Sequence, residues 1–392
     1  MKIIMNQFDC VVVGAGMVGA ASALSLAELG LKVAVIEKKA PAAFSVEQAF
    51  DLRVSAISLA SEQLLQQLDA WQQLKQWRMC PYKRLGVSEC ESSYTEFDAS
   101  NIGQSHLGHI IENRLIQLSL WQKLQQHPNI TLLCPESLVK LEQHSTEVEL
   151  TLASQSIRTK IVVGADGGNS YVRKLAHIGT TGWDYAQSAM LINVRTEQPQ
   201  QDITWQQFFQ TGPLAMLPMP GHSASLVWYQ AKDEIKRLSA LSQRSLEQEI
   251  MQNFPSKLGR IEVINQAAFP LTRRHANQYH KGRVLLLGDA AHTINPMAGQ
   301  GVNLGFKDVK ALQHVIAQAI GNGESWHQED VLARYQQKRR TDNLLMMTTM
   351  DALYLSFGHV SPLVKLARNA GLTMVNKLPQ LKNKALAYAC GI

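Results

Sequence analysis

The chain has 392 residues, 45% hydrophobic and 18% charged, with a formal net charge of +6. That is enough for two lobes and a sizeable buried core, and it excludes a disordered or fibrous chain. Five scattered cysteines (Cys10, Cys80, Cys90, Cys134, Cys390) show no CxxC, which argues against a disulfide framework or a zinc site and fits a reducing cytosol. No metal is expected, so any redox chemistry needs an organic cofactor. The positive charge is concentrated at one end: residues 361–392 hold Lys365, Arg368, Lys377, Lys382 and Lys384 and no acid. Such a tail suits an anionic surface or an ordinary solvated helix.

In chain order, residues 8–13 form a β-branched run ending in glycine, read as a buried parallel strand. A helix over 18–29 follows, then a second strand over 32–37. The uncharged stretch 10–27 would pass for a targeting segment or membrane span, but three glycines inside it carry a different meaning. A polar segment with Asp51, Leu52 and Arg53 leads into a helix predicted over 58–77. Residues 83–97 read as strand, 113–126 as helix and 130–159 as alternating strands. Residues 161–163 are a buried strand, 185–229 antiparallel β-structure, 284–287 another buried strand, and the chain is mainly helical from 330 onward.

Three glycine-bearing motifs follow buried strands. Gly14-Ala15-Gly16-Met17-Val18-Gly19 is GxGxxG between strand and helix. Its glycines serve the tight turn, the approach of a pyrophosphate and close helix–strand packing, with phosphate at the helix N-terminus. Glu37, closing the second strand, suits ribose hydroxyls and would repel a 2′-phosphate, so FAD or NAD fits better than NADP. Asp166, within Gly164-Ala165-Asp166-Gly167-Gly168-Asn169-Ser170, can reach a bound nucleotide or can cap the next helix. Asp289, within Gly288-Asp289-Ala290-Ala291-His292, is placed to accept hydrogen bonds from a sugar-alcohol chain. Beyond it Pro296 stiffens a turn, and Gly299, Gln300, Gly301, Val302 and Asn303 open a helix whose free N–H groups favour negative charge. His292 is read as a structural tie in that loop, the alternative being an acid or base.

With these motifs in this order, the chain resembles the class A flavoprotein monooxygenases, the para-hydroxybenzoate-hydroxylase-like family, from about residue 9 to about 341. The resemblance implies an α/β fold: a discontinuous Rossmann-type FAD-binding domain (1–78, 106–182, 280–345) interleaved with a β-rich substrate domain (79–105, 183–279), and a helical tail (346–392). It implies that Gly14, Ala15, Gly16, Gly19 and Glu37 bind the ADP half of FAD, that Asp166 lies near the pyrophosphate, and that Asp289 holds ribitol. Pro296 and Gly299 to Asn303 would line the isoalloxazine ring. Arg53 matches an arginine beside the flavin, the alternative being a surface ion pair. Asn113 stands where the family often has Arg or Gln, a shorter candidate for a pyrophosphate contact.

The segments beginning at Asp51, Cys80, Phe254, Phe269 and Pro379 are similar to the ubiquinone-biosynthesis hydroxylases over essentially the whole chain. The similarity implies hydroxylation of a polyprenyl benzoquinol through a flavin C4a-hydroperoxide, with O₂ and an external reductant, NAD(P)H, visiting the same flavin. No catalytic side chain is assigned; His109, Tyr229 and His275 are candidate proton acceptors with structural or substrate-positioning alternatives. Ser361-Pro362 opens an amphipathic, basic helix suited to a membrane surface. The expected location is cytoplasmic, at the cytoplasmic face of the inner membrane, with other ubiquinone-biosynthesis proteins as partners and no nucleic acid. A sibling hydroxylase for another ring position, one for a soluble phenol, and a flavin-binding scaffold are the alternatives.

Overall fold

The strand Asn6–Val13 sets the register for everything around it. In the computed structural model, which describes residues 6–89, 93–255, 258–295, 299, 301–358, 369 and 378–392, it pairs in parallel with Val33–Ile36 on one side and Ser156–Gly164 on the other. Ile130–Leu133 extends the sheet beyond the former and Val284–Leu286 beyond the latter, both parallel. Val11, Val12, Val33, Ala34 and Val35 are fully buried, as strands covered on both faces require. Burial of each valine contributes roughly 1.5–3 kcal/mol.

Register then decides where the chemistry goes. Val13 lies opposite both Ile36 and Gly164, and Gly164 lies opposite Leu286. The next residues along each strand (Gly14, Glu37, Ala165 and Leu287) therefore leave the sheet at one rim, the carboxyl ends of its parallel strands. Helix Met17–Ala27 packs against helices Asn113–Gln126 and Gly301–Gly321, and small residues let them come close. A Cβ on Gly305 would lie 2.5 Å from Val18.

A second eight-stranded sheet centres on the long strand Thr180–Thr196, antiparallel to both Ile261–Ala276 and Ser223–Ala231. Gly212–Met219 and Ile203–Phe209 continue it, and Arg84–Ser88 joins in parallel. A third sheet of Val54–Ser58, Gly108–Glu112 and Cys80–Tyr82 bridges the two regions. The long helix Glu329–Gly358 is tied to the antiparallel sheet by Asp351, which accepts a hydrogen bond from Tyr185 and pairs with Arg273 at 2.7 Å. Helix Pro379–Cys390 returns to it, with the Tyr388 hydroxyl donating to Asp342.

One predicted element divides. The helix expected over 58–77 is two, Leu59–Gln67 and Trp71–Gln76, broken where Asp69 adopts φ 55°, a left-handed conformation that no helix continues through. Pro296, Gln300 and, from the amphipathic segment, residues 361–368 and 370 lie outside the described residues. No helix among the described residues is long and apolar enough to cross a membrane.

Candidate active site

The first turn shows why its glycines are needed. Gly14 has φ +98°, and a Cβ there would sit 2.6 Å from the Ala165 carbonyl oxygen, so the first and second motifs touch through backbone. A Cβ on Gly19 would lie 1.9 Å from the Gly14 carbonyl oxygen, so only glycine lets helix Met17–Ala27 dock on that turn. Gly16 faces open space, with nothing within 4 Å of where its Cβ would be. Glu37 accepts from the Ala15 N–H at 2.7 Å and from the Lys39 N–H at 3.1 Å, and Gln117 donates to the Ala15 carbonyl at 2.9 Å.

Asp166 caps the helix Tyr171–Leu175: one carboxylate oxygen accepts from the N–H groups of Tyr171 (2.6 Å) and Val172 (3.0 Å). The capping alternative is therefore present. The second oxygen, buried, has no hydrogen-bond partner among the described residues, so the same side chain retains a free acceptor. Arg173 donates to the Gly168 and Ala290 carbonyls, stitching the second motif to the third.

Asp289 forms no side-chain hydrogen bond or ion pair with any described residue; it opens into a cavity yet is walled by protein. Desolvation pushes its carboxyl up, while His292 and Arg53 oppose that shift. Behind it, Asp308 accepts from the Gly288 N–H (3.0 Å), from Arg339 (2.8 Å) and from Asn343 (3.0 Å), and lies 2.5 Å from His292 Nε2. Burial alone would raise the Asp308 carboxyl, but His292 and Arg339 bring it down to about 2. His292 is thus a tie beneath the loop, as its position in the sequence implied.

The cavity has a volume of about 450 Å³. Arg53, Asn113 and Asp289 stand on its wall with Gly299, Gly301 and Val302. Arg53 makes no ion pair among the described residues, and the Asn113 amide oxygen accepts from the Ser55 hydroxyl at 2.6 Å. The Asn303 side chain is turned elsewhere: it donates to the Ala56 carbonyl and accepts from the Ser58 N–H and Ser61 hydroxyl, pinning the helix start to strand Val54–Ser58. The opposite wall is mainly apolar, with Leu217, Val227, Tyr229 and Phe269 from the antiparallel sheet and Leu386, Ala389 and Cys390 from the last helix, alongside the polar Thr204 and Gln206. The Trp205 indole packs on the other face of that sheet, against Phe254. Of the three candidate proton acceptors only Tyr229 lines the cavity, and burial raises its phenol well above the ordinary value. His275 is buried against Tyr279; desolvation first, then Arg340, lowers it to about 4 and keeps it neutral. His109 sits on another face, edge-on to Trp71.

Two features have no counterpart among the sequence motifs. Arg114 binds both oxygens of Asp51 at 2.8 and 2.9 Å and the carbonyls of Ala42 and Ala43. Arg78 pairs with Glu112, donates to the Gln48 and Ala49 carbonyls, and stacks on Phe44 and Phe50. Together they clasp the segment leading to Arg53. The only hint in the sequence is two arginines beside apolar runs.

Residues 7–347 match the model of the FAD binding domain family. The chain is 46% identical to 3-demethoxyubiquinol 3-hydroxylase of Escherichia coli over 98% of both proteins. It is 35% identical to the ubiquinone hydroxylase UbiL of Rhodospirillum rubrum, over 98% of this chain and 89% of that one. Among solved structures, p-nitrophenol 4-monooxygenase PnpA of Pseudomonas putida superposes with a TM-score of 0.78 at 19% identity, over 97% of each chain, which is a likeness of fold. The chain belongs to the FAD-binding flavoprotein monooxygenases, within their group of ubiquinone-biosynthesis hydroxylases.

Proposed function

We propose that this FAD-dependent monooxygenase hydroxylates the ring of a polyprenyl benzoquinol during ubiquinone biosynthesis, at the position named for its Escherichia coli relative. The observation that carries this reading is the cavity itself, which runs from Asp289 at the strand-end rim to the apolar side chains of Leu217, Val227 and Phe269. The rim fits FAD. An open helix start at Gly16, an unpaired Asp166 oxygen and an unpaired Asp289 carboxylate are acceptors and space in need of a dinucleotide. Gly14, Ala15, Gly16, Gly19 and Glu37 would hold the ADP half, Asp166 and Asn113 the pyrophosphate region, Asp289 the ribityl hydroxyls, and Arg53, Gly299, Gly301 and Val302 the ring.

When bound and reduced, FAD supplies the oxygen-activating chemistry. The chain's own part is to orient and to exclude water. Leu217, Val227 and Phe269 make most of the substrate wall apolar, with Thr204 and Gln206 among its polar groups. A quinol ring is already activated by its hydroxyls, so the site needs no strong dedicated base; Tyr229 would position the ring. The reductant we take to be NAD(P)H. The division into an FAD-binding unit (1–78, 106–182, 280–345), a substrate unit (79–105, 183–279) and a tail accords with the two large sheets, with the Cys80–Tyr82 pairing to Gly108–Glu112 crossing between them.

Association with the cytoplasmic face of the inner membrane is part of the proposal. Its support is exposed Leu345, Leu355, Leu381 and Tyr388 on the two last described helices, beside the basic tail. Lipid extracts of a deletion strain should accumulate the quinone lacking one ring hydroxyl, and the wild-type gene should clear it while Asp289→Ala should not. Normal quinone in the deletion strain, or complementation by Asp289→Ala, would refute the assignment.

A further inference from the structure

Outside the cavity, the fold gathers three ligand-type side chains that are distant or unremarkable in sequence. Glu62 comes from helix Leu59–Gln67, His109 from strand Gly108–Glu112, and His106 from the turn just before it. His106 Nε2 lies 2.9 Å from Glu62 Oε2, and His109 Nδ1 lies 3.2 Å from the same oxygen without the alignment of a hydrogen bond. All three ligand atoms fall within 4.8 Å of one another. None of the three residues lines the flavin cavity.

We propose that Glu62, His106 and His109 bind one divalent transition-metal ion, of the zinc type, that braces the cavity wall. Tetrahedral zinc with bonds of about 2.0–2.1 Å sets its ligand atoms roughly 3.3 Å apart, close to the spacing that His109 and Glu62 already keep. Two imidazoles and one carboxylate suit zinc and its neighbours, whereas magnesium and calcium want oxygen ligands throughout. The outer partners are in place too. Gln66 donates to Glu62 Oε1 at 3.0 Å, leaving Oε2 to face the imidazoles, and the Ser105 hydroxyl lies 2.9 Å from His106 Nδ1. Such contacts fix the tautomer and direction of metal ligands. Glu62 and His109 are buried, while His106 is partly open and leaves a way in and a place for a water ligand.

The position gives the ion a purpose. Leu107, between the two histidines, lines the cavity, and its carbonyl accepts from the Cys390 thiol of the last helix at 3.7 Å. An ion held at Glu62, His106 and His109 would tie helix Leu59–Gln67 to that wall. It stands apart from the flavin, so its binding does not depend on which quinol is the substrate.

The test uses the full FAD-loaded chain, stripped with a chelator and titrated with Zn²⁺ against a chromophoric competitor, with Co²⁺ difference spectra as a ligand reporter. One equivalent should bind and raise Tm. Glu62→Gln and His106→Gln should each weaken binding by at least about tenfold and abolish the Tm rise, and Ser105→Ala should weaken it less. Both main variants keep the packing of His109 on Trp71, and retained flavin absorbance reports their folding. The proposal is overturned if no stoichiometric binding occurs, if both variants bind as wild type does, or if Zn²⁺ leaves Tm unmoved, the result expected of a carboxylate merely hydrogen-bonded to two imidazoles.

Discussion

The parallel sheet and the antiparallel sheet build the two sides of one cavity by different means. The parallel sheet contributes through the turns at its strand ends: Gly14, Glu37, Asp166 and Asp289 all lie at a single rim, put there by the register of Val13, Ile36, Gly164 and Leu286, and Asp289 reaches the cavity itself. The antiparallel sheet contributes through the middles of its strands, where alternate side chains such as Leu217, Val227 and Tyr229 face inward. A turn that must meet a phosphate or a sugar has one or two workable backbones, so its residues are fixed one by one. A wall need only be apolar and of the right volume, so its residues can be exchanged in small steps. Function on the first side is therefore brittle, and on the second graded.

That contrast can be broken experimentally. The largest expected effect lies beneath the rim. Asp308→Ala leaves Arg339 with Asp342 as its remaining ion-pair partner and takes the buried acceptor from the Gly288 N–H, His292 and Asn343, and should cost about 3–5 kcal/mol in urea unfolding. Because the Asp308 carboxyl is held down to about 2, its contribution is fully present above its ordinary 3.8 and is lost as pH falls towards 2. Gly19→Ala forces a methyl against the Gly14 carbonyl and should destabilise by about 3 kcal/mol, with loss of bound FAD measured by absorbance. Where the two sheets meet, His275 lies opposite His292 in register. Its folded value of about 4 is below the ordinary 6.5, so the unfolded chain takes up a proton that the folded chain refuses. Stability should then fall as pH drops from 6.5 towards 4, by up to about 3 kcal/mol, and His275→Gln should flatten that slope in urea titrations at pH 5 and 7. The smallest effect belongs to the wall: Leu217→Ala should raise KM about tenfold and leave FAD content unchanged. A wall substitution that expels FAD, or a rim substitution without consequence, would undo the contrast.

Legibility in the sequence divides along the same line. The rim could be read because each turn advertises itself, with a β-branched strand, then glycine, then an acid at a fixed distance. The helix break at Asp69 could not be read, because nothing in the run 58–77 excludes a continuous helix and the left-handed conformation of Asp69 leaves no mark in the residue pattern. The clasp of Arg78 on Glu112 and of Arg114 on Asp51 spans dozens of residues and has no local pattern. Asn303 was legible as part of a glycine-rich helix start but not in its direction, since its bonds to Ala56, Ser58 and Ser61 depend on a strand some 245 residues earlier. The cluster of Glu62, His106 and His109 was only half legible: the two histidines stand three residues apart, but Glu62 comes from a helix 44 residues before His106 and only the fold brings it to them.

The sheet order also has a consequence for the order of synthesis. The upper half of Ser156–Gly164 is flanked on one side by Asn6–Val13 and on the other by Val284–Leu286, which is made more than a hundred residues later. At translation rates of about 5–20 residues per second, that edge waits on the order of ten seconds for its partner. Through that interval the nascent chain carries an unpaired, strongly apolar strand edge, Val162-Val163-Gly164, at the centre of its future sheet. Ribosome-bound chains ending before residue 284 should therefore be the ones that recruit chaperones most strongly, and slowing translation after that point should matter far less.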